Sequence, residues 1–102
     1  SAKLVLTRRV LLNIHQEWPE ETVNKVRSGK IDEGMEPDMI LAALGIPQNK
    51  TKYFSEDSKS KEIWTYFISE TRVVKVVFED NKVTEIERTV RVQETPPPVF
   101  GY

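Results

Sequence analysis

Residues 34–47 read Gly-Met-Glu-Pro-Asp-Met-Ile-Leu-Ala-Ala-Leu-Gly-Ile-Pro, and this segment carries both a start and a stop for one short helix. Pro37 suits the first helical position, where its missing N–H has no partner to lose and its φ is already set. Met35, just before the cap, and Ile40 are spaced for a hydrophobic staple. Ile40, Ala43 and Leu44 share a face. Gly45 can take the left-handed conformation that ends a helix, Ile46 can fold back on Leu41, and Pro47 bars continuation. The spacing predicts a helix over 37–44. Two turns are unstable alone in water, so this helix has to dock on something built elsewhere in the chain.

A second short helix is expected over 18–29. Pro19 fits its first position. Glu20 and Glu21 favour the positive end of its dipole, and Lys25, Arg27 and Lys30 the negative end. Val23 and Val26 give a thin apolar face, and Gly29 stops it. Three strands follow. Residues 62–68 place Trp64, Tyr66 and Ile68 on one face, and residues 72–79 alternate Val74, Val76 and Phe78 with Val73 and Val77. Residues 82–92 carry Ile86 and Val90 inward. Asp80-Asn81 suits a tight hairpin turn, because both residues tolerate positive φ. Val83 and Ile86 have opposite parity, which predicts a bulge after that turn. Residues 48–61 are polar and charged and read as a loop. In 4–14, Leu4, Leu6, Val10, Leu12 and Ile14 share one parity broken only by Arg8, which favours a strand or extended arm over a helix. Thr95-Pro96-Pro97-Pro98 is an extended polyproline stretch leading to Phe100-Gly101-Tyr102.

The composition narrows function more than it names it. A chain of 102 residues holds one domain. Leu, Ile, Val and Phe total 29, enough to build a core rather than remain disordered. With 15 Lys and Arg against 16 Asp and Glu, the net charge of −1 provides no long-range field for nucleic acid or anionic lipid. No apolar run nears the ~20 residues that span a bilayer. The lack of Cys removes thiol catalysis, Cys-based zinc sites and disulfides. The chain begins Ser1-Ala2 without Met, so a leader or neighbouring domain is expected upstream.

No catalytic constellation is visible. His15 is the only ordinary general base near neutral pH, with no Cys and no Gly-x-Ser-x-Gly to serve, and is expected at the surface or packed beside Trp18. Asp32, Glu33, Glu36 and Asp38 lack the alternating oxygen spacing of a calcium loop and fit the N-terminal end of the 37–44 helix. Lys50, Lys52, Tyr53, Phe54, Lys59 and Lys61 resemble a single-strand binder superficially, but Glu56, Asp57 and Glu62 largely cancel the charge. Of the adjacent aromatics, one is expected to cap the core, the other open to a partner. Trp64, Tyr66 and Phe78 are expected in the sheet core. Asn49-Lys50-Thr51 matches a glycosylation acceptor pattern that arises readily by chance. The Pro96–Pro98 run is a spacer, or an arm that delivers Phe100 and Tyr102 to a partner or a sheet edge.

The segment 34–47, the Trp64-Thr65-Tyr66 strand and the hairpin Phe78-Glu79-Asp80-Asn81-Lys82-Val83 together resemble the SmpA/OmlA (BamE-type) family. That family's pattern is a Gly-Met-Thr helix start, a Leu-Gly-x-Pro stop, a Trp-x-Tyr strand and a Phe-x-x-Gly-Lys-Val hairpin. Residues 18–31 resemble its first helix, so the resemblance covers roughly 18–88. It implies two helices on one face of a three-stranded antiparallel sheet, as in beta-lactamase-inhibitor-like repeats. It also implies a small bacterial envelope protein, often a lipoprotein, that binds other proteins. Two departures stand out: Glu36 replaces the capping Thr, and Asn81 the hairpin Gly. The matching positions are structural, so they carry fold rather than partner.

The expectation is therefore an α+β fold: two short helices packed on a three-stranded antiparallel sheet, with an N-terminal extended arm (1–17), an SmpA/OmlA-like domain (18–93) and a Pro-rich C-terminal tail (94–102). Its expected core is Trp18, Val23, Val26, Ile31, Met35, Ile40, Ala43, Leu44, Trp64, Tyr66, Val74, Val76, Phe78 and Ile86. The expected function is non-catalytic protein binding in the bacterial periplasm or on the periplasmic face of the outer membrane, without cofactor, metal, nucleic acid or direct membrane insertion. The candidate contact residues are Tyr53, Phe54, Phe100 and Tyr102. The alternatives are a self-associating homo-oligomeric domain of a longer chain, or a protein inhibitor by analogy with the beta-lactamase-inhibitor-like fold.

Overall fold

The structure, a computed structural model, describes residues 2–54, 56 and 59–90. Three helices precede a four-stranded sheet: α1 (Ala2–Ile14), α2 (Glu20–Arg27), α3 (Pro37–Leu44), β1 (Asn49–Phe54), β2 (Ser60–Phe67), β3 (Arg72–Glu79) and β4 (Lys82–Val90). The sheet is an antiparallel meander in the order β1-β2-β3-β4. The α+β class stands. The count of elements does not, because both α1 and β1 lie where other structure was expected.

The α3 segment follows its sequence signals closely. Pro37 occupies the first turn after an extended Glu36, and no side chain caps the helix, as expected of a weak cap. Gly45 ends it at φ 86°, ψ −160°, a region essentially open to glycine only. Ile46, however, is 69% exposed and does not fold back. Both ends of the segment are fastened to the sheet. At one end the Gly34 N–H donates to the Val83 carbonyl (2.7 Å) and the Val83 N–H to the Met35 carbonyl (2.9 Å). At the other, the Tyr66 hydroxyl donates to the Gly45 carbonyl (2.8 Å).

In α2, Pro19 is the residue before the helix rather than its first member, and Gly29 (φ 71°) follows its end. Val26 is fully buried and Val23 partly so. These helices cover one face of the sheet. The core gathers Trp18, Val26, Ile31, Met35, Ile40, Ala42 and Ala43 from the helical side against Trp64, Tyr66, Val76, Phe78 and Val83. Each fully buried aliphatic side chain, such as Ile40 or Val76, contributes about 1.5–3 kcal/mol. Asp80 and Asn81 both take positive φ in the hairpin. A register shift between Val77 and Phe78 brings Val83 opposite Phe78 while Ile86 stays opposite Val76, so both reach the core face. That is the bulge expected from their parity.

The first correction concerns 4–14, which is helical rather than extended. Leu4, Thr7, Arg8, Leu11 and Leu12 are its half-buried positions, spaced by three and four residues as on one helical face. The shared parity misleads because Leu6, Val10 and Ile14 are also apolar yet point to solvent. α1 packs mainly on α3, with the Leu4 side chain close beside Gly45. Arg8 substitutes for a deeper apolar anchor. Its Nε donates to the Ala42 carbonyl (2.8 Å) and its Nη atoms to the carbonyls of Ala43 (3.0 Å) and Arg27 (3.1 Å). One guanidinium thus satisfies terminal carbonyls of both α2 and α3, at the ends where their dipoles favour a cation.

The second correction is the expected loop 48–61, which contains a strand. Asn49 to Phe54 pair with Thr65 to Ser60 in an unbroken register. Residues 91–92 of the expected last strand, like the tail beyond, lie outside the described residues. Gly45→Ala should lower stability by about 1–3 kcal/mol, because a Cβ there would sit 3.3 Å from Leu4 in a backbone region closed to alanine. Urea unfolding of both proteins measures the difference as a lower midpoint at unchanged slope.

Candidate functional site

Among the described residues β1 forms an edge of the sheet, pairing with β2 on one side only. Pro47, two residues before it, is buried and closes off the helical segment. Gln48 then sets the register. Its N–H donates to the Thr65 carbonyl (3.1 Å), and its side-chain Oε1 accepts from the Phe67 N–H (3.0 Å). From Asn49 to Phe54 every residue is exposed. Along an edge strand the backbone groups on the outer side have no partner in the sheet.

The two faces of β1 differ in chemistry. Lys50, Lys52 and Phe54 stand opposite Trp64, Glu62 and Ser60 and so share the face that the helices cover elsewhere. The Lys50 ammonium lies 4.6 Å above the Trp64 ring, a cation–π contact that holds this charge at the strand's side. The Trp64 indole N–H donates to Glu62 (2.6 Å), the residue paired with Lys52 across the strands. Asn49, Thr51 and Tyr53 belong to the opposite face, which no helix among the described residues covers. Ile63, Val73 and Val77 are half-buried there, with Phe67 exposed.

Tyr53 and Phe54 therefore both sit at the end of this edge, 40% and 73% exposed, on opposite faces. Neither caps the core, contrary to the expectation for one of them. Phe100 and Tyr102 lie outside the described residues. Trp64, Tyr66 and Phe78 are buried as expected, and burial pushes the Tyr66 hydroxyl well above its ordinary pKa.

His15, Asp32 and Asp38 are engaged in structural links. The His15 ring stacks on Trp18 with centroids 4.4 Å apart and planes 1° from parallel. Its Nδ1 lies 3.0 Å from Glu17 and its Nε2 2.6 Å from Asp38. Hydrogen bonds from its ring to the Glu17 carboxylate first, then to Asp38, raise its pKa above the ordinary value, and the same bond lowers that of Glu17. Asp38 stands in the first turn of α3, so the His15 ring ties the end of α1 to the start of α3. Asp32 pairs with Lys25 at 2.7 Å. Among the described residues no three His, Asp or Glu side chains are grouped to hold a metal ion. In the sequence Arg8 marks only a break in the shared parity, because an extended arm brings it to no helix end. The signal that could have found it is the alignment of Leu4, Leu11 and Trp18 at helical spacing.

No family model matches the chain, and neither a curated protein nor a solved structure matches it.

The His15 link has a predictable pH response. A pKa raised on folding means that the stabilisation is complete below the unfolded value of 6.5 and is lost as pH rises through the folded pKa. Amide exchange, corrected for its intrinsic pH dependence, should therefore show protection of α1 falling as pH rises above 6.5. His15→Gln should flatten that dependence.

Proposed function

We propose that this chain is a non-catalytic protein-binding module of the bacterial cell envelope. The observation that carries the binding reading is the β1 edge, a strand exposed along its whole length and ending in two solvent-facing aromatic side chains. Aromatic residues are enriched where proteins meet, since they bury large area at low entropic cost. The envelope location, on the periplasmic side, rests on the resemblance of residues 18–88 to the SmpA/OmlA family. In such a frame α1 and β1 are additions to the two helices and three strands that the resemblance implies. A protein-inhibitor role belongs to the same class, since it too acts by surface contact. His15 is assigned a fastening role, with both ring nitrogens on carboxylates.

Self-association is a second reading, favoured by one feature of α1. Leu6, Val10 and Ile14 recur every fourth residue and are all exposed, giving an apolar stripe on the outer side of the helix. Light scattering at increasing concentration separates the two readings: a mass that stays monomeric excludes the homo-oligomer.

Tyr53→Ser/Phe54→Ser should fold with stability within about 0.5 kcal/mol of the parent, as exposed sites allow. Its retention of a specific partner in pull-down from envelope extract should fall about tenfold or more. Undiminished retention, with Phe100 and Tyr102 also changed to Ser, would place the contact elsewhere.

A further inference from the structure

We infer that the β1 edge accepts an extended acidic segment of a partner protein as a fifth strand. This deepens the protein-binding reading and rests on it. The outer backbone groups of Asn49–Phe54 supply the hydrogen-bonding ladder that strand addition needs. Side chains alternate along a strand, so an added strand would place every second residue beside Lys50, Lys52 and Phe54. The edge strand contains two lysines and no acid. Lys50 is held in place over Trp64, and Glu62, paired across from Lys52, turns one carboxylate oxygen to the Trp64 indole N–H. The complementary pattern is acid, any residue, acid, any residue, apolar, or its reverse if the segment runs antiparallel.

The same lysines argue against a second copy as the occupant. Antiparallel pairing of β1 with itself about Thr51 would set Lys50 of each copy opposite Lys52 of the other, and like charges directly opposite destabilise a sheet. Pairing of β1 with the other edge, β4, would be head-to-tail and open-ended rather than closed.

The test uses the full chain and a capped peptide with the core glutamate-valine-glutamate-valine-phenylalanine, made in both directions. Binding should perturb the amide resonances of residues 49–54 and slow their exchange. Affinity should fall about tenfold or more for Lys50→Glu/Lys52→Glu, and by a smaller factor for Lys50→Gln/Lys52→Gln. It should also fall several-fold between about 0.05 and about 0.5 M salt. A peptide N-methylated at alternate amides keeps its charge but cannot complete the ladder, and should bind about tenfold more weakly. The inference is overturned if the lysine variants or the methylated peptide bind as well as the parents do. It is equally overturned if a lysine-for-glutamate peptide binds as tightly, or if single-stranded oligothymidine protects residues 49–54 better than the peptide. Concentration-dependent protection of β1 in the protein alone would assign the edge to a second copy instead. If Tyr53- and Phe54-dependent capture persists while acidic peptides leave β1 untouched, strand addition fails and the protein-binding reading survives. If capture is indifferent to those aromatics, the reading of the surface itself has failed.

Discussion

The fold turns on a helix too short to exist by itself. α3 has two turns and no side-chain cap, and isolated helices of that length are unstable in water. It persists because the sheet grips the segment at both ends. The paired backbone bonds of Gly34 and Met35 to Val83 hold its entry at the β3–β4 hairpin, and the Tyr66 hydroxyl holds its exit at Gly45. Between these points Ile40, Ala42 and Ala43 are buried in the core shared by the helices and the sheet. Neither partner is independent: without α3 the face bearing Trp64, Val76 and Phe78 is open to water, and without the sheet α3 unravels.

The remaining helices lean on that arrangement. α2 contributes one fully buried residue, Val26, and its C-terminal carbonyl at Arg27 shares the Arg8 guanidinium with those of Ala42 and Ala43. α1 has no buried residue at all. It is held by half-buried Leu11 and Leu12, by Arg8 in its middle and by His15 just beyond its end. A helix held by half-buried side chains, one guanidinium and one imidazole, with no fully buried residue of its own, is expected to open locally before global unfolding.

Sequence and structure agree where punctuation and burial speak together. Gly34, Pro37, Gly45 and Pro47 delimit α3, and Asp80-Asn81 makes the hairpin. The parity break between Val83 and Ile86 predicts the register shift. Two elements escape for opposite reasons. α1 is apolar on its outer side as well as its inner side, so Leu6, Val10 and Ile14 erase the helical periodicity that Leu4 and Leu11 would otherwise show. β1 has the reverse defect: none of its residues is buried, so no apolar alternation marks it. Its stability comes from the backbone ladder to β2 and from Gln48, which bonds to both Thr65 and Phe67. Ala42 was overlooked beside Ala43 because a residue so small leaves little trace in a hydrophobic pattern, although it is wholly buried.

What hid β1 from the sequence is also what distinguishes it as a surface. A strand whose side chains serve a core must keep an apolar alternation, and its chemistry is then fixed by packing. β1 lies beyond the reach of α2 and α3, so its six side chains carry no packing duty toward the helices. Its composition of lysine, threonine, asparagine and two aromatics is therefore free to answer to solvent and to other molecules. Lysines along an edge commonly discourage unwanted strand pairing, and here they would do so toward a like copy. The same charges are attractive toward an acidic strand. A guarded edge and a selective one can thus be built from the same residues, the difference lying only in the sign of the charge that approaches.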